Sequence, residues 1–257
     1  MADEVRMVNC IKLKKQAEGI KLMVNTGELE NNESNLAWKA AALMIETFGI
    51  REGVKISLKK TIPIAAGMAG GSSDAAAVIK GMNELFKLGK STEELCALGV
   101  KIGADVPYCI MGGTALAEGI GEKLTPLPEV PRATILIAKP DISVSTKEVY
   151  QGLQISELKS HPDVDGMTKA IVRHDLDGVI ERMGNVLENV TIKKYPVIDE
   201  IKQLMKDNGA ENALMSGSGP TVFGIFYDQK QAAKCYIKVQ ESKLAKDVML
   251  TTFVTPN

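Results

Sequence analysis

Residues 63–77 read PIAAGMAGGSSDAAA, a stretch of small residues that runs directly into an apolar pattern of helical spacing. Its three glycines let the backbone approach a ligand closely and tolerate positive φ angles. Consecutive N–H groups of such a loop can turn toward one anion, and the following helix adds its free N–H groups and the positive end of its dipole. Ser72 and Ser73 offer hydroxyls at the helix entrance. The stretch predicts a cradle for a polyphosphate.

Two well-known phosphate-binding signatures do not fit this stretch. A Walker A loop is excluded because no Gly-Lys-Ser/Thr follows the glycines. A dinucleotide fingerprint is excluded because the order is A-x-G-x-x-G with paired serines behind it, and no acidic residue follows a second strand at the required place. The simpler alternative is a tight turn that only packs a helix on a sheet. The double serine at the helix entrance favours phosphate over that alternative.

The stretch resembles the second conserved motif of the GHMP kinases, a family that includes galactokinase, homoserine kinase and mevalonate kinase. The resemblance runs from about residue 4 to the end of the chain. It implies an ATP-dependent kinase that uses Mg²⁺, and the SSDAA ending is most similar to the branch that phosphorylates diphosphocytidyl-methylerythritol for isoprenoid-precursor synthesis. A homoserine or mevalonate type of acceptor is the alternative. The nucleotide-binding residues it implies are Pro63, Ile64, Ala65, Ala66, Gly67, Met68, Ala69, Gly70, Gly71, Ser72, Ser73 and Asp74.

A second candidate lies in residues 101–108, which read KIGADVPY. Pro107 disfavours helix at Val106, so Asp105 is predicted to lie on a loop. A carboxylate in a polar cleft can accept a proton from an attacking hydroxyl or orient that alcohol, whereas an N-cap or turn aspartate is the alternative. The GADVP string resembles the kinase segment that carries the catalytic aspartate, and this resemblance implies that Asp105 is the base.

Two further segments are candidates for a supporting role. Residues 215–222 read MSGSGPTV and are similar to the third GHMP motif, which folds against the phosphate loop; a plain hairpin turn is the alternative. Residues 139–146 read KPDISVST and are similar to the segment that lies near the diphosphocytidyl substrate. There the hydroxyls can donate to phosphate or, equally, cap the following helix. The supporting residues are Ser145, Thr146, Ser216, Gly217, Ser218 and Gly219.

Composition narrows the remaining classes of function. The formal net charge of the 257-residue chain is −1, which gives no basic excess for nucleic acid, and the apolar runs are of strand length, too short to span a membrane. The N-terminus has no apolar signal-peptide core. Four cysteines without a C-x-x-C pair and only two histidines predict reduced thiols and no metal site of side chains. We expect a cytoplasmic enzyme with a small-molecule substrate, as a monomer or homodimer.

The periodicity of the chain predicts an α+β fold of two domains, because strands and helices mix without strict alternation. Three prolines in residues 124–132 place the boundary near residue 130, giving domains 1–130 and 131–257. Residues 109–121 are predicted to form a hairpin with glycine turns. The resemblance implies a ribosomal-S5-like first domain and a ferredoxin-like second domain. Strands are predicted at 20–24, 54–58, 133–138, 212–215, 221–226 and 248–254, and helices at 35–48, 74–86, 91–102, 146–153, 163–174, 176–188, 196–208 and 229–241.

The start of the sequence departs from the family pattern. Family members open with a strand of the A-K-I-N type, whose lysine pairs with the catalytic aspartate, followed by a G-Y-H-E segment; residues 3–7 resemble the stretch just after it, with Asp3 where the histidine is expected. This favours a truncated or misassigned start or a divergent member. Lys12, Lys14 and Lys15 are candidate replacements, with a solvated strand edge as the simpler interpretation. We therefore expect weak or no kinase activity, and a nucleotide-binding pseudokinase is a second alternative.

Overall fold

The computed structural model describes residues 9–27, 29–158 and 161–253. Contacts divide these residues into two compact units. The amino-terminal unit takes the described residues up to Ile64 together with Ala69–Pro126, and the carboxy-terminal unit takes Ala65–Met68 together with the described residues from Leu127 onward. The predicted nucleotide-binding stretch is thus shared between the units. The domain boundary near residue 130 stays a prediction.

The amino-terminal unit is built around a three-stranded sheet in which β3 is central, antiparallel to β1 and parallel to β2. In the register of this sheet, Ile56 of β3 stands between Leu13 of β1 and Leu22 of β2. The elements of this part of the chain are β1 (Cys10–Gln16), β2 (Ile20–Val24), α1 (Leu36–Phe48), β3 (Gly53–Lys59), α2 (Gly70–Leu85), α3 (Thr92–Gly99), α4 (Val106–Met111), β4 (Thr114–Glu118) and β5 (Lys123–Leu127).

The core of this unit follows from two sequence periods. Alternation along β3 buries Val54, Ile56 and Leu58, as expected of a strand with one face on a core. The helical spacing in α2 buries Val78 and Met82 in the same apolar cluster. The sheet and α2 thereby fix where the phosphate-loop stretch leaves β3 and where it enters the helix.

Local side-chain chemistry sets the ends of two helices. The Oδ1 of Asn35 accepts a hydrogen bond from the N–H of Ala37 at 2.9 Å, and α1 ends at Gly49, which has φ +61°. The predicted capping box of α3 is confirmed, because Ser91 and Glu94 each bind the other's backbone N–H. The last residue of α3 is Gly99, so the predicted end near residue 102 is too late.

Two predictions fail around Pro107. The sequence predicts that Val106 lies outside a helix, but α4 begins there. The N–H groups of the first helical turn have no partner within the helix, so Pro107 loses no hydrogen bond at this position. Asp105 lies in the turn just before this helix, at the N-cap position of α4, so its predicted place on a loop is confirmed. The predicted hairpin is also wrong in its first half, since Cys109 lies in α4 and the paired strands are β4 and β5, joined through Gly119 and Gly121.

The carboxy-terminal unit contains a four-stranded antiparallel sheet of order β7-β8-β6-β9. At its centre Leu136 of β6 pairs with Gly224 of β8 on one side and Leu250 of β9 on the other. Its elements are β6 (Thr134–Lys139), α5 (Thr146–Gly152), a short 3-10 helix (Ile155–Glu157), α6 (Val164–Val172), α7 (Leu176–Glu181), α8 (Glu188–Lys194), α9 (Val197–Asp207), β7 (Asn212–Met215), β8 (Val222–Phe226), α10 (Gln229–Ser242) and β9 (Asp247–Thr252).

The long helix predicted at 176–188 is wrong. Helix α7 ends at Glu181, and a separate helix, α8, begins at Glu188. Between them the Oδ1 of Asn185 accepts a hydrogen bond from the N–H of Leu187 at 3.0 Å, which offers the backbone an alternative to a helical bond. Strands and helices mix in both units, so the α+β class is confirmed. Across the described ranges no helix has both the length and the apolar character that a membrane crossing needs.

Candidate active site

The backbone between β3 and α2 has an unusual conformation. Ala65, Gly67 and Ala69 have φ angles of +50°, +68° and +49°, in the left-handed region that alanine adopts only at a cost of about 1–2 kcal/mol. Ala69 occupies the N-cap position of α2, and its methyl group cannot accept a hydrogen bond from the first turn. The leading N–H groups of this 16-residue helix are therefore left for another acceptor, such as an anion.

The serines at the start of α2 have different roles. The Oγ of Ser73 donates to the carbonyl of Gly70 at 2.9 Å, while the hydroxyl of Ser72 forms no hydrogen bond with any described residue. Ser72 is half-buried and available to a ligand. The carboxylate of Asp74 is buried and accepts hydrogen bonds from Lys60 and Asn9, two residues that the sequence did not single out.

Within the carboxy-terminal unit, Gly67 lies directly against the loop of residues 216–219. The Oγ of Ser216 donates to the carbonyl of Gly67 at 2.9 Å. A Cβ built at Gly67 would lie 2.5 Å from the carbonyl oxygen of Ser216 and 2.7 Å from that of Gly219. The structure therefore brings together two of the segments that the sequence singled out, and only a residue without a side chain fits at position 67.

Asn185 and Glu188 anchor the base of this loop, although no motif pointed to them. The Nδ2 of Asn185 donates to the carbonyls of Met215 and Gly217 at 2.8 and 2.7 Å. An Oε of Glu188 accepts from the N–H of Met215 at 2.8 Å, and its other Oε binds Lys202 at 2.6 Å. The partners are about thirty residues apart in sequence, so periodicity gives no signal for them.

In the 139–146 segment, the hydroxyls of Ser145 and Thr146 both form hydrogen bonds. The Oγ of Ser145 accepts from the N–H of Glu148 at 3.3 Å, which confirms the capping alternative for that residue. The hydroxyl of Thr146 lies 2.9 Å from the Oγ of Ser218, which is buried. Thr191 of α8 donates to the carbonyl of Ser218 at 3.2 Å. Contact of these side chains with a substrate phosphate stays a prediction.

Asp105 is exposed at the start of α4 and is not used as a cap. Its side chain accepts no capping hydrogen bond, and it forms no hydrogen bond or ion pair with any residue that the structure describes. Asp105 thus occupies the N-cap position without capping the helix through its side chain, and its role as the base stays a prediction. A carboxylate that is exposed and unpaired in this way can accept a proton from, or orient, an incoming alcohol.

The thiol of Cys109, one turn into α4, has a pKa that is affected by its burial and by the carboxylates of Asp105 and Asp74. Burial raises its pKa to about 11, and the negative charges of Asp105 and Asp74 add smaller contributions in the same direction. Asp105 and Asp74 thus both lie within electrostatic range of one side chain. The lysines of β1 lie elsewhere: Lys12, Lys14 and Lys15 are exposed, and Lys15 pairs with Glu52 at 3.2 Å, as the solvated-edge interpretation predicts.

The cysteines should differ in reactivity toward iodoacetamide at pH 8. Cys10 is exposed, whereas burial raises the pKa of Cys109 and of Cys235 to about 11. At three units below the pKa only about one thiol in a thousand is ionised, and the thiolate is the reactive form. We expect Cys10 to be alkylated in the folded protein, and Cys109 and Cys235 only after unfolding in urea. Peptide mass spectrometry locates the label, and labelling of native Cys109 at the rate of Cys10 would contradict this geometry.

Family models match both halves of the chain. The model described as GHMP kinases N terminal domain matches residues 35–113, and that described as GHMP kinases C terminal matches residues 167–243. The chain belongs to the GHMP kinases.

Among its relatives, a 4-diphosphocytidyl-2-C-methyl-D-erythritol kinase of Lachnospira eligens is 54% identical over 239 residues, which are 93% of this chain and 83% of the relative. A protein of the same name from Lachnoclostridium phytofermentans is 51% identical over 91% of this chain and 80% of its own length.

Two solved structures share the fold of this chain. A crystal structure of 4-(cytidine 5'-diphospho)-2C-methyl-D-erythritol kinase is 29% identical, with a TM-score of 0.81 over 97% of this chain and 87% of that one. A homoserine kinase from Cytophaga hutchinsonii reaches a TM-score of 0.79 at 21% identity, over 96% of this chain and 85% of its own. The second likeness is one of fold alone.

Proposed function

We propose that this chain is an ATP-dependent kinase that phosphorylates the 2-hydroxyl of 4-diphosphocytidyl-2-C-methyl-D-erythritol in isoprenoid-precursor synthesis. The observation that carries the proposal is identity of 54% and 51% to two kinases named for that substrate, each over more than nine tenths of this chain. It acts in the cytoplasm on a small molecule, as a monomer or homodimer, with neither nucleic acid nor membrane as partner.

In phosphoryl transfer, one set of residues binds the nucleotide and another orients the acceptor hydroxyl. The stretch of residues 63–74 holds the triphosphate chiefly through the N–H groups of its loop and of the first residues of α2, and the helix contributes the positive end of its dipole. The exposed carboxylate of Asp105 accepts a hydrogen bond from the acceptor hydroxyl and orients it. It takes the hydroxyl proton as the oxygen bonds to the γ-phosphorus, while the bond from that phosphorus to the β–γ bridging oxygen breaks and ADP leaves. Ser216–Gly219 support the loop at Gly67. Catalysis of this kind is mainly positioning and neutralisation of charge.

The oxygen groups present fit a magnesium ion bound chiefly by nucleotide. Mg²⁺ keeps several waters and uses phosphate oxygens with only one or two protein groups. In the described part of the chain no cluster of three or more histidine, cysteine or acidic side chains could hold a metal alone. The free hydroxyl of Ser72 and the unpaired carboxylate of Asp105 are the groups that would hold the ion or its waters. When bound, it neutralises charge on the transferred phosphoryl group.

The proposal is tested by measuring ATP binding and turnover separately on the purified chain. Isothermal titration calorimetry with ATP and Mg²⁺ gives the Kd, and a coupled assay then follows ADP release with diphosphocytidyl-methylerythritol, homoserine or mevalonate. ADP release that depends on the first acceptor supports the proposal. Release with homoserine or mevalonate alone overturns the assigned acceptor, and tight ATP binding without turnover identifies a pseudokinase instead.

A further inference from the structure

A buried ion pair lies beside the start of α2. The Nζ of Lys60 is 2.6 Å from an Oδ of Asp74, and their side chains are only 6% and 3% exposed. The Nδ2 of Asn9 donates to the other Oδ of Asp74, also at 2.6 Å. Burial raises the pKa of Asp74, while its bonds to Lys60 and Asn9 act in the opposite direction. Burying such a pair is costly and seldom adds stability beyond that of apolar side chains, so the pair invites another explanation.

The same side chains hold the entrance of the phosphate-loop stretch. The Oδ1 of Asn9 accepts from the N–H groups of Thr61 and Ile62 at 2.8 and 2.9 Å. Asn9 immediately precedes β1, and Lys60 immediately follows β3. The cluster therefore links the start of one strand and the end of its neighbour to the first turn of α2, all within the amino-terminal unit.

The shared target of the donors is the carbonyl of Gly70. Lys60 Nζ donates to it at 2.7 Å, Ser73 Oγ at 2.9 Å and Asn9 Nδ2 at 3.3 Å. A Cβ at position 70 would lie 3.1 Å from Lys60 Nζ and 3.0 Å from Ile62, so the ammonium is packed against the backbone itself. Three donors converge on one carbonyl oxygen, which fixes its direction.

That direction matters because the peptide group is planar and trans. The carbonyl of Gly70 and the N–H of Gly71 belong to the same peptide plane and point in opposite directions. Fixing the carbonyl toward Lys60 thereby aims the N–H of Gly71 out of the N-terminal end of α2, where an anion binds. Lys60 is not itself a free cation for the nucleotide, because Asp74 neutralises it.

We propose that Lys60 and Asn9 are positioning residues for the nucleotide phosphates, acting through the Gly70 carbonyl and Asp74. The inference rests on the proposed function, since it assumes that α2 binds ATP. It differs from a role in folding alone: a folding role needs only that the buried charges be balanced, whereas positioning needs a donor to the Gly70 carbonyl.

The test compares Lys60→Met, the double variant Lys60→Met/Asp74→Asn and the control Lys80→Met. Lys80 lies on α2, the helix that carries Asp74. It is exposed and donates to the carbonyl of Ile110. Calorimetry gives the Kd for ATP without needing turnover, and thermal unfolding gives the midpoint of each variant. We expect Lys60→Met to weaken ATP binding about tenfold and to lower the unfolding midpoint, because it leaves Asp74 buried and unpaired. Lys80→Met should match the parent in both.

The double variant separates the two roles. Removing both charges should restore most of the unfolding midpoint while the Kd for ATP stays raised, because the Gly70 carbonyl still lacks its closest donor. Recovery of the midpoint and the affinity together would reduce the cluster to a folding role and overturn the inference, as would a Lys60→Met protein with parental ATP affinity. A parent chain that binds no ATP would contradict the proposed function instead. Failure of the positioning role and failure of the kinase function therefore give different results.

Discussion

Asp105→Asn is expected to lower the acceptor-dependent ADP release that the parent chain shows, weak or strong, by about 10²- to 10⁴-fold, the range for loss of a general base. The amide keeps the shape of the carboxylate but cannot take a proton. ATP affinity should change much less than turnover, because the triphosphate is held by the loop at residues 63–74 and the amide oxygen of asparagine can still accept a hydrogen bond from a magnesium-bound water. The unfolding midpoint should be unchanged, because the Asp105 side chain forms no capping bond that the substitution could remove. Turnover, calorimetry and thermal unfolding on the same preparation check all three.

Asp175→Asn is a matched control for that substitution. Asp175 is also an N-cap aspartate, but its Oδ1 does accept a hydrogen bond from the N–H of Gly178 at 2.9 Å. Asparagine is an equally good N-cap residue, so both stability and turnover should stay near parental values. An Asp105→Asn enzyme that turned over as fast as Asp175→Asn would remove Asp105 from the mechanism.

Gly67→Ala is expected to weaken ATP binding by about a hundredfold or more. The new methyl group would lie 2.5 Å from one backbone carbonyl oxygen and 2.7 Å from another, and neither neighbour is a flexible side chain. Overpacking of this kind costs about 1–3 kcal/mol, and the positive φ adds about 1–2 kcal/mol. Each 1.4 kcal/mol is tenfold in affinity when the strain is relieved only by moving the loop. Calorimetric titration with ATP measures the change.

The control for this substitution is Gly49→Ala. Gly49 has a similar φ of +61°, but no described atom lies within 4 Å of a Cβ built there. Gly49→Ala therefore has the energetic cost of alanine at positive φ but no steric clash of the new methyl group. It should lose about 1 kcal/mol of stability and keep the ATP affinity of the parent. Equal ATP affinity in the two alanine variants would show that contact with the 216–219 loop is unimportant for nucleotide binding.

The parts of the fold that a sequence can predict are those written in short-range patterns. Alternation gave the central strand β3, helical spacing gave α2, and the S-x-x-E box gave the start of α3, because each depends on neighbours within four residues. Pro107 misled for the same reason. The rule that a proline disfavours helix at the preceding residue is local, whereas the fit of Pro107 in the first turn of α4 depends on where the helix begins.

The missed parts of the site depend on distant partners. Lys60 and Asn9 meet Asp74 across 14 and 65 positions, and Asn185 meets the 216–219 loop across 32. Nothing in the local pattern around these residues separates them from ordinary surface polar side chains. Asp105 is a candidate only because its segment resembles a family motif, since residue type alone favours an N-cap or turn role.

The two alanines with left-handed backbone show what holds the loop in shape. Alanine disfavours this φ region by about 1–2 kcal/mol, so the residues themselves do not select the conformation seen at positions 65 and 69. Strain of this kind persists only where the surrounding structure over-determines the backbone. Glycine at either position would adopt the same φ without strain, and the surrounding contacts would still impose the same path on the chain.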